Sequence, residues 1–201
     1  LLESELRHND VGLHLGDGIA RFEGEETHVR CHLDSGKFLD ADLVILSIGV
    51  KPDSDLARAA GLQLGARGHI VVDGFQRTSD PHIYAAGDVA GPYQFTHTAA
   101  HQAWYAAVNA LFDPFKKFKA DYAVIPAATF IDPEVARVGL NEQEARAQGI
   151  AFETSTYKLD DLDRAIADGE AHGFVKVLTV PGKDRILGVT LVGEHAAEFI
   201  A

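Results

Sequence analysis

Residues Thr78 to Val89 read T-S-D-P-H-I-Y-A-A-G-D-V, an apolar run that ends on Gly87 and is followed at once by an acid, Asp88. Glycine at such a point lets the backbone turn sharply and lets a ligand come close. An acid at the carboxyl end of a strand stands where α/β sheets place their ligands, and its carboxylate can accept a hydrogen bond from a sugar hydroxyl. The helix expected from His97 onward presents unpaired N–H groups and a partial positive charge at its start. That end suits an electron-rich edge such as a phosphate or a ring carbonyl.

Other candidates carry less. His97 and His101 are one helical turn apart, half of a metal site. No Cys or further His is placed to complete it, so no metal ligand is assigned. His97 reads as a helix-start residue and His101 as a surface or dimer-facing one. Cys31 stands beside Arg30 and His32 in an alternating segment and reads as an inert strand cysteine. As the one cysteine, it rules out an internal disulfide or dithiol relay. Asp160, Asp161, Asp163 and Asp168 lack the spacing and terminal Glu of a calcium loop and read as a solvated loop.

The elements that must position these groups are legible in outline. Residues 11 to 33 mix short alternating segments with Gly16, Gly18 and Gly24, as in a small antiparallel meander. Leu43 to Ile48 is an apolar run expected as a strand buried on both faces. Pro52 to Asp55 opens a short helix with Ser54 or Asp55 as cap, Leu56 to Ala60 as body and Gly61 at its end. Ile70 to Val72 and His82 to Ala86 are expected as short strands. From His97 to Phe112 the period becomes helical: Ala100, Ala103, Trp104, Ala107, Val108 and Leu111 form one apolar face, expected to pack inward.

Asp113-Pro114 ends that helix, and Phe115 to Lys119 reads as a link to a second unit. There Val124 to Phe130 and Val135 to Val138 are expected strands. Asn141 with Glu144 forms a capping box for a helix closed by Gly149. Phe174 to Val180 and Ile186 to Val192 flank Pro181-Gly182-Lys183-Asp184, a hairpin signal. A last helix begins near His195. The order is α/β first, then antiparallel β with helices.

Composition limits the partners. The chain has 201 residues, 46% hydrophobic and 24% charged, a globular balance that makes one large domain or two small ones. Eighteen Lys and Arg against 30 Asp and Glu give a net charge of −12, which argues against nucleic acid and against an anionic membrane surface. The apolar runs are far short of the ~20 residues that span a bilayer. The chain has no Met and opens at Leu-Leu-Glu-Ser without a signal peptide, which reads as a cytoplasmic segment of something longer.

Ile83 to Val89, I-Y-A-A-G-D-V, resembles the second flavin-binding motif of the pyridine nucleotide-disulfide oxidoreductases. Ser47-Ile48-Gly49-Val50-Lys51-Pro52-Asp53 is similar to the family's G-R-x-P-N segment, where the nicotinamide domain hands back to the flavin domain. Phe130 to Leu140 resembles the opening of its dimerisation domain, and Arg164-Ala165, Gly169-Glu170, Gly173 to Lys176, Ile186 to Val189 and Gly193 continue it in order. The group in question holds dihydrolipoamide dehydrogenase, glutathione reductase and mercuric reductase, with the mercuric reductase-like members most similar.

The resemblance implies an α/β plus α+β fold, a partial Rossmann-like region followed by an antiparallel-sheet dimerisation domain. It implies the tail of an NAD(P)-binding domain at 1–50, the returning half of an FAD-binding domain at 51–118 and a truncated dimerisation domain at 119–201. It also implies a homodimeric oxidoreductase that passes electrons from NAD(P)H through FAD to a redox disulfide and a small-molecule or metal-ion acceptor. Carried over residue by residue, Asp88, with Gly87, binds the ribityl or phosphate side of FAD. The Phe95-Thr96-His97 turn directs N–H groups at the flavin O2 edge, Gly49 lies against the nicotinamide cofactor, and Ile19 lies near its adenosine half.

The departures are specific. The first flavin fingerprint, G-x-G-x-x-G, has its nearest match in Gly16 to Arg21, which ends in Arg and leads into no clear helix. The redox cysteine pair is missing. On the family pattern, the second dinucleotide fingerprint would precede Leu1 and the partner-supplied catalytic base would follow Ala201. Val50 follows Gly49 where a basic residue is usual. No catalytic residue is therefore assigned, and the chain alone is expected to be inactive. The alternative expectation is a non-catalytic dimerisation module without bound cofactor.

Overall fold

A computed structural model describes residues 2–24, 27–113 and 115–200. They fall into two compact units, Leu1–Val50 and Lys51–Ala201.

The first unit begins with α1 (Leu2–His8), a helix without a buried residue that the sequence reading did not single out. A three-stranded antiparallel meander follows: β1 (Ile19–Gly24), β2 (Val29–Leu33) and β3 (Phe38–Ala41), with β2 central. Cys31 and Leu33 are buried in β2, in the unit's small core. Ile19 opens β1 opposite Leu33 and is half-exposed. Charged pairs line the sheet: the Arg30 guanidinium grips both oxygens of Asp40 at 2.7 and 2.9 Å, and His32 Nε2 donates to Glu23 at 2.7 Å. Hydrogen bonding from these partners holds the Glu23 and Asp40 carboxyls below their ordinary range. The Gly16-Asp17-Gly18 segment is bound by its own neighbours: Asp17 accepts from the Ser35 hydroxyl at 2.6 Å and the Ser35 amide at 2.9 Å. It leads into β1, so the partial fingerprint here is a strand entry.

Leu43 to Ile48 is not a buried strand. Among the described residues no strand pairs with it, and Leu43, Ile45, Leu46 and Ile48 are exposed, Ile48 by 88%. A strand hidden on both faces needs neighbours that supply both faces; the run has the composition without the ladder.

The second unit opens with α2 (Asp55–Ala59), capped at Ser54 by position but without a side-chain hydrogen bond. The expected strands at Ile70–Val72 and His82–Ala86 are reduced to two isolated bridges, Leu64 to Ile70 and Arg77 to Tyr84. The physical reason is local competition. Asp73 Oδ1 accepts from the amides of Phe75 and Arg77, and the Thr78 hydroxyl donates to the Asp80 carbonyl and accepts from the Asp80 amide, so the chain is folded into turns.

Next comes α3 (Thr96–Phe112), the longest helix. Its expected inner face is its outer one. Ala100, Ala103, Trp104, Ala107 and Leu111 are exposed, while Thr98, Gln102 and Asn109 are buried. The buried amides explain the inversion. Asn109 Nδ2 donates to the carbonyls of Phe75 and Phe118 at 2.9 and 2.8 Å, and its Oδ1 accepts from the Phe118 amide at 2.7 Å. Trp104 is half-exposed and meets Tyr105 and Phe118 edge-on.

The rest is a five-stranded antiparallel sheet with helices: β4 (Ala127–Thr129), β5 (Val135–Gly139), α4 (Glu142–Ala147), β6 (Glu153–Lys158), a 3-10 turn (Leu159–Asp161), α5 (Asp163–Asp168), β7 (Phe174–Thr179), β8 (Ile186–Val192) and α6 (Ala196–Phe199). The strand order is β4-β5-β8-β7-β6. Leu178, Ala136, Ala145, Val192 and Ala196 form its core. Fully hiding a side chain the size of Leu178 contributes about 2 kcal/mol. The Pro181 to Asp184 turn joins β7 to β8 as expected, and α4 carries both halves of its capping box. Bonding to the Asn141 amide and to Arg137 lowers the Glu144 carboxyl. The acidic run expected as a loop is instead the 3-10 turn and α5, an exposed short helix closed by Gly169. Among the described residues no helix is long and apolar enough to cross a membrane.

Candidate cofactor site

The chain turns at Gly87, whose φ of +80° is open to glycine and strained for other residues. Its carbonyl accepts from the amides of Ala90 and Gly91 at 2.9 and 3.1 Å, closing a five-residue loop. Val89 ties this loop back by accepting from the Ile70 amide at 2.8 Å. Gly87 is buried against α3, where a Cβ would meet that of Ala99 at 3.4 Å. Asp88 beside it is exposed, and its carboxylate has no hydrogen bond or ion pair among the described residues.

The second part of the site is the start of α3. Phe95 is the N-cap, with extended backbone and no side chain able to cap. The first bond into the helix runs from the Ala99 amide to the Phe95 carbonyl, so the amides of Thr96, His97 and Thr98 have no acceptor among the described residues. The rings of Tyr93, Phe95 and His97 stack in series, with centroids 6.3 and 5.4 Å apart. Phe95, Thr96 and His97 line a cavity of about 760 Å³ whose far wall is Pro126, Ala127 and Phe130. His97 Nε2 donates to the Pro126 carbonyl at 2.8 Å and His101 Nε2 to the Asp121 carbonyl at 2.7 Å. Both imidazoles thereby staple α3 to the segment leading into β4. Among the described residues no cluster of three or more His, Cys, Asp or Glu is arranged to hold a metal.

The residues singled out from sequence thus fall into three places. Gly87 and Asp88 form the loop, Phe95, Thr96 and His97 form the cavity wall at the head of α3, and Gly49 belongs to the first unit, in an irregular segment with φ +86°. Sequence reasoning missed Gln102, which is fully buried and hydrogen-bonded to the loop, and Tyr122, whose hydroxyl accepts from Gln102 and from Gln76. The available signal was the polar line Thr98, Gln102, Asn109 on one face of the helix.

A sequence profile of the pyridine nucleotide-disulphide oxidoreductases matches residues 1–103, and that of their dimerisation domain matches residues 125–201. The chain belongs to this family. It is 33% identical over 189 residues to a dihydrolipoyl dehydrogenase of Chlamydia muridarum, covering 93% of this chain and 40% of that protein. It is 33% identical over 200 residues to a mercuric reductase of Bacillus cereus, covering 97% of this chain and 31% of the relative. Among solved structures, LpdA from Mycobacterium tuberculosis superposes with a TM-score of 0.89 at 27% identity, covering 98% of this chain and 43% of that one. An HOCl-induced flavoprotein disulfide reductase from Escherichia coli gives 0.84 at 27% identity over 99% and 46%. The fold is that of the disulfide reductases, α/β followed by an antiparallel sheet. The chain spans less than half the length of each of these proteins.

Proposed function

We propose that these residues serve a flavin-dependent oxidoreductase that carries electrons from NAD(P)H through FAD to a disulfide or related acceptor. On this reading residues 1–50 are the rear of the NAD(P)-binding domain, with Gly49 facing the nicotinamide cofactor. Residues 51–118 are the returning half of the FAD-binding domain, and 119–201 the domain through which two copies associate. The observation that carries it is the pairing of an unpartnered, exposed Asp88 carboxylate on a left-handed Gly87 turn with three uncommitted amides at the head of α3.

These groups fit a flavin by their chemistry. Asp88 accepts from a ribityl hydroxyl, and the amides of Thr96, His97 and Thr98 face an electron-rich ring edge, with the α3 dipole adding to their pull. The stacked Tyr93, Phe95 and His97 rings offer an apolar flank beside them. FAD, when bound, supplies the two-electron relay between nicotinamide and disulfide. This chain has no dithiol of its own, because Cys31 is its single cysteine and is buried in β2. We therefore assign it no turnover by itself.

The test is the visible spectrum of the purified chain after FAD is added and the excess removed, for the parent and for Asp88→Ala. Retained flavin in the parent, weakened about tenfold or more by the substitution, with no disulfide reductase activity in either, is the expected result. Flavin held equally by both proteins removes Asp88 from the site, and measurable turnover refutes the inactivity. A dimer in light scattering with no retained flavin instead favours an association module built on the five-stranded sheet.

A further inference from the structure

We infer that Gln102 is the positioning residue of this site: its one side chain spans the Gly87–Gly91 loop from end to end and thereby sets where the Asp88 carboxylate stands. Oε1 accepts from the Gly87 amide at 2.6 Å, and Nε2 donates to the Gly91 carbonyl at 2.7 Å. Gln102 is fully buried, so water does not compete for either bond. Among the described residues, the turn is closed within the loop by the Gly87 carbonyl, and the Gly87 amide and the Gly91 carbonyl have no partner besides Gln102. Among the described residues, Asp88 makes no bond that would fix it independently. Its direction follows from the backbone on either side, which Gln102 holds at both ends of the loop and the Ile70 amide holds at the Val89 carbonyl.

The anchor is itself braced. Gln102 Nε2 also reaches the Tyr122 hydroxyl at 3.2 Å, which accepts from Gln76 Nε2 at 2.7 Å. Three segments, the turn at 76, the head of α3 and the approach to β4, therefore meet at the amide that holds the loop. An apolar side chain of similar volume would fill the space and strand the buried Gly87 amide. The claim that Gln102 holds the loop stands on geometry alone; its consequence for flavin rests on the function proposed above.

Amide hydrogen exchange at Gly87, measured on the full 201-residue chain, reads the loop directly, and FAD titration reads the consequence. Gln102→Leu is expected to speed exchange at Gly87 about tenfold or more while amides of β7 and β8 keep their protection, and to weaken FAD binding about tenfold. Gln102→Glu, which still offers an acceptor to the Gly87 amide, is expected to restore much of that protection. Unchanged exchange at Gly87 in Gln102→Leu overturns the inference. If that variant loses protection throughout, Gln102→Glu decides: a folded protein with Gly87 unprotected overturns it, and one with Gly87 protected supports it. If the parent chain retains no FAD yet Gln102→Leu opens the loop, the flavin reading falls and the positioning role stands. If the parent holds FAD and Gln102→Leu holds it equally, the role in the site falls.

Discussion

The five-stranded sheet and the stretch from Pro52 to Asp113 satisfy the same requirement by different means. Every buried backbone amide and carbonyl needs a partner. From Ala127 to Val192 the ladders β4-β5-β8-β7-β6 supply those partners, backbone to backbone, in continuous register apart from one bulge at Leu178/Thr179. In the earlier stretch there are two isolated bridges in place of a ladder. Buried side-chain amides take over: Gln102 holds the Gly87 loop, and Asn109 holds Phe75 and Phe118. The comparison teaches that the functional loop is held by a few replaceable atoms, while the sheet is held by a repetitive network. A single side-chain change should disturb the first locally and the second only where strands come too close.

The sharpest way to break the sheet is therefore steric. Gly188 lies in β8 where a Cβ would overlap the backbone of Leu140, both its carbonyl oxygen and its nitrogen. Backbone cannot swing aside as a side chain end can. Gly188→Ala is expected to destabilise the second unit by about 3 kcal/mol, seen as a lower urea midpoint with the slope unchanged. A loss below about 1 kcal/mol would show that β8 can shift, and the contrast with the loop region would weaken.

The next largest effect tests the amide rivets. Asn109→Ala removes two donated bonds and one accepted bond from a side chain that is 1% exposed. The carbonyls of Phe75 and Phe118 and the Phe118 amide lose their partner together, for about 2 kcal/mol. Thermal unfolding followed by circular dichroism measures it. A neutral result would mean that α3 is held by something other than its polar inner face.

How much of this was legible follows the same division. The hairpin at Pro181 to Asp184, the capping box of Asn141 and Glu144, and the antiparallel pair β1 and β2 depend on neighbours close in sequence and were readable, whereas β3 lies beyond the 11 to 33 stretch read as a meander. The strand β6 was not, because Glu153 to Lys158 is exposed along its whole length at the sheet edge and has no apolar alternation to report it. Leu43 to Ile48 had strand composition but no partner strand among the described residues. At the candidate site, Gly87 and Asp88 could be found from an apolar run ending on Gly-Asp, since the turn is local. Gln102 lies fifteen residues away in sequence and is recognisable only once the helix and loop are in contact.

Helix α3 supplies the smallest effect and the clearest sign test. Its apolar residues repeat at helical spacing, and that pattern by itself argues for an inward face. Leu111 sits on the stripe yet is 75% exposed, and its neighbours Ala100, Ala103, Trp104 and Ala107 share the same side. If the buried face is the polar one, Leu111→Lys removes almost no contact, keeps a good helix former and changes stability by no more than about 0.5 kcal/mol. If the stripe were the packed face, the same change would bury a charge and cost several kcal/mol. Paired urea titrations of the parent and Leu111→Lys separate the two outcomes by far more than their error. A large loss would return α3 to the orientation its sequence pattern suggests and would detach Gln102 from the Gly87 loop with it.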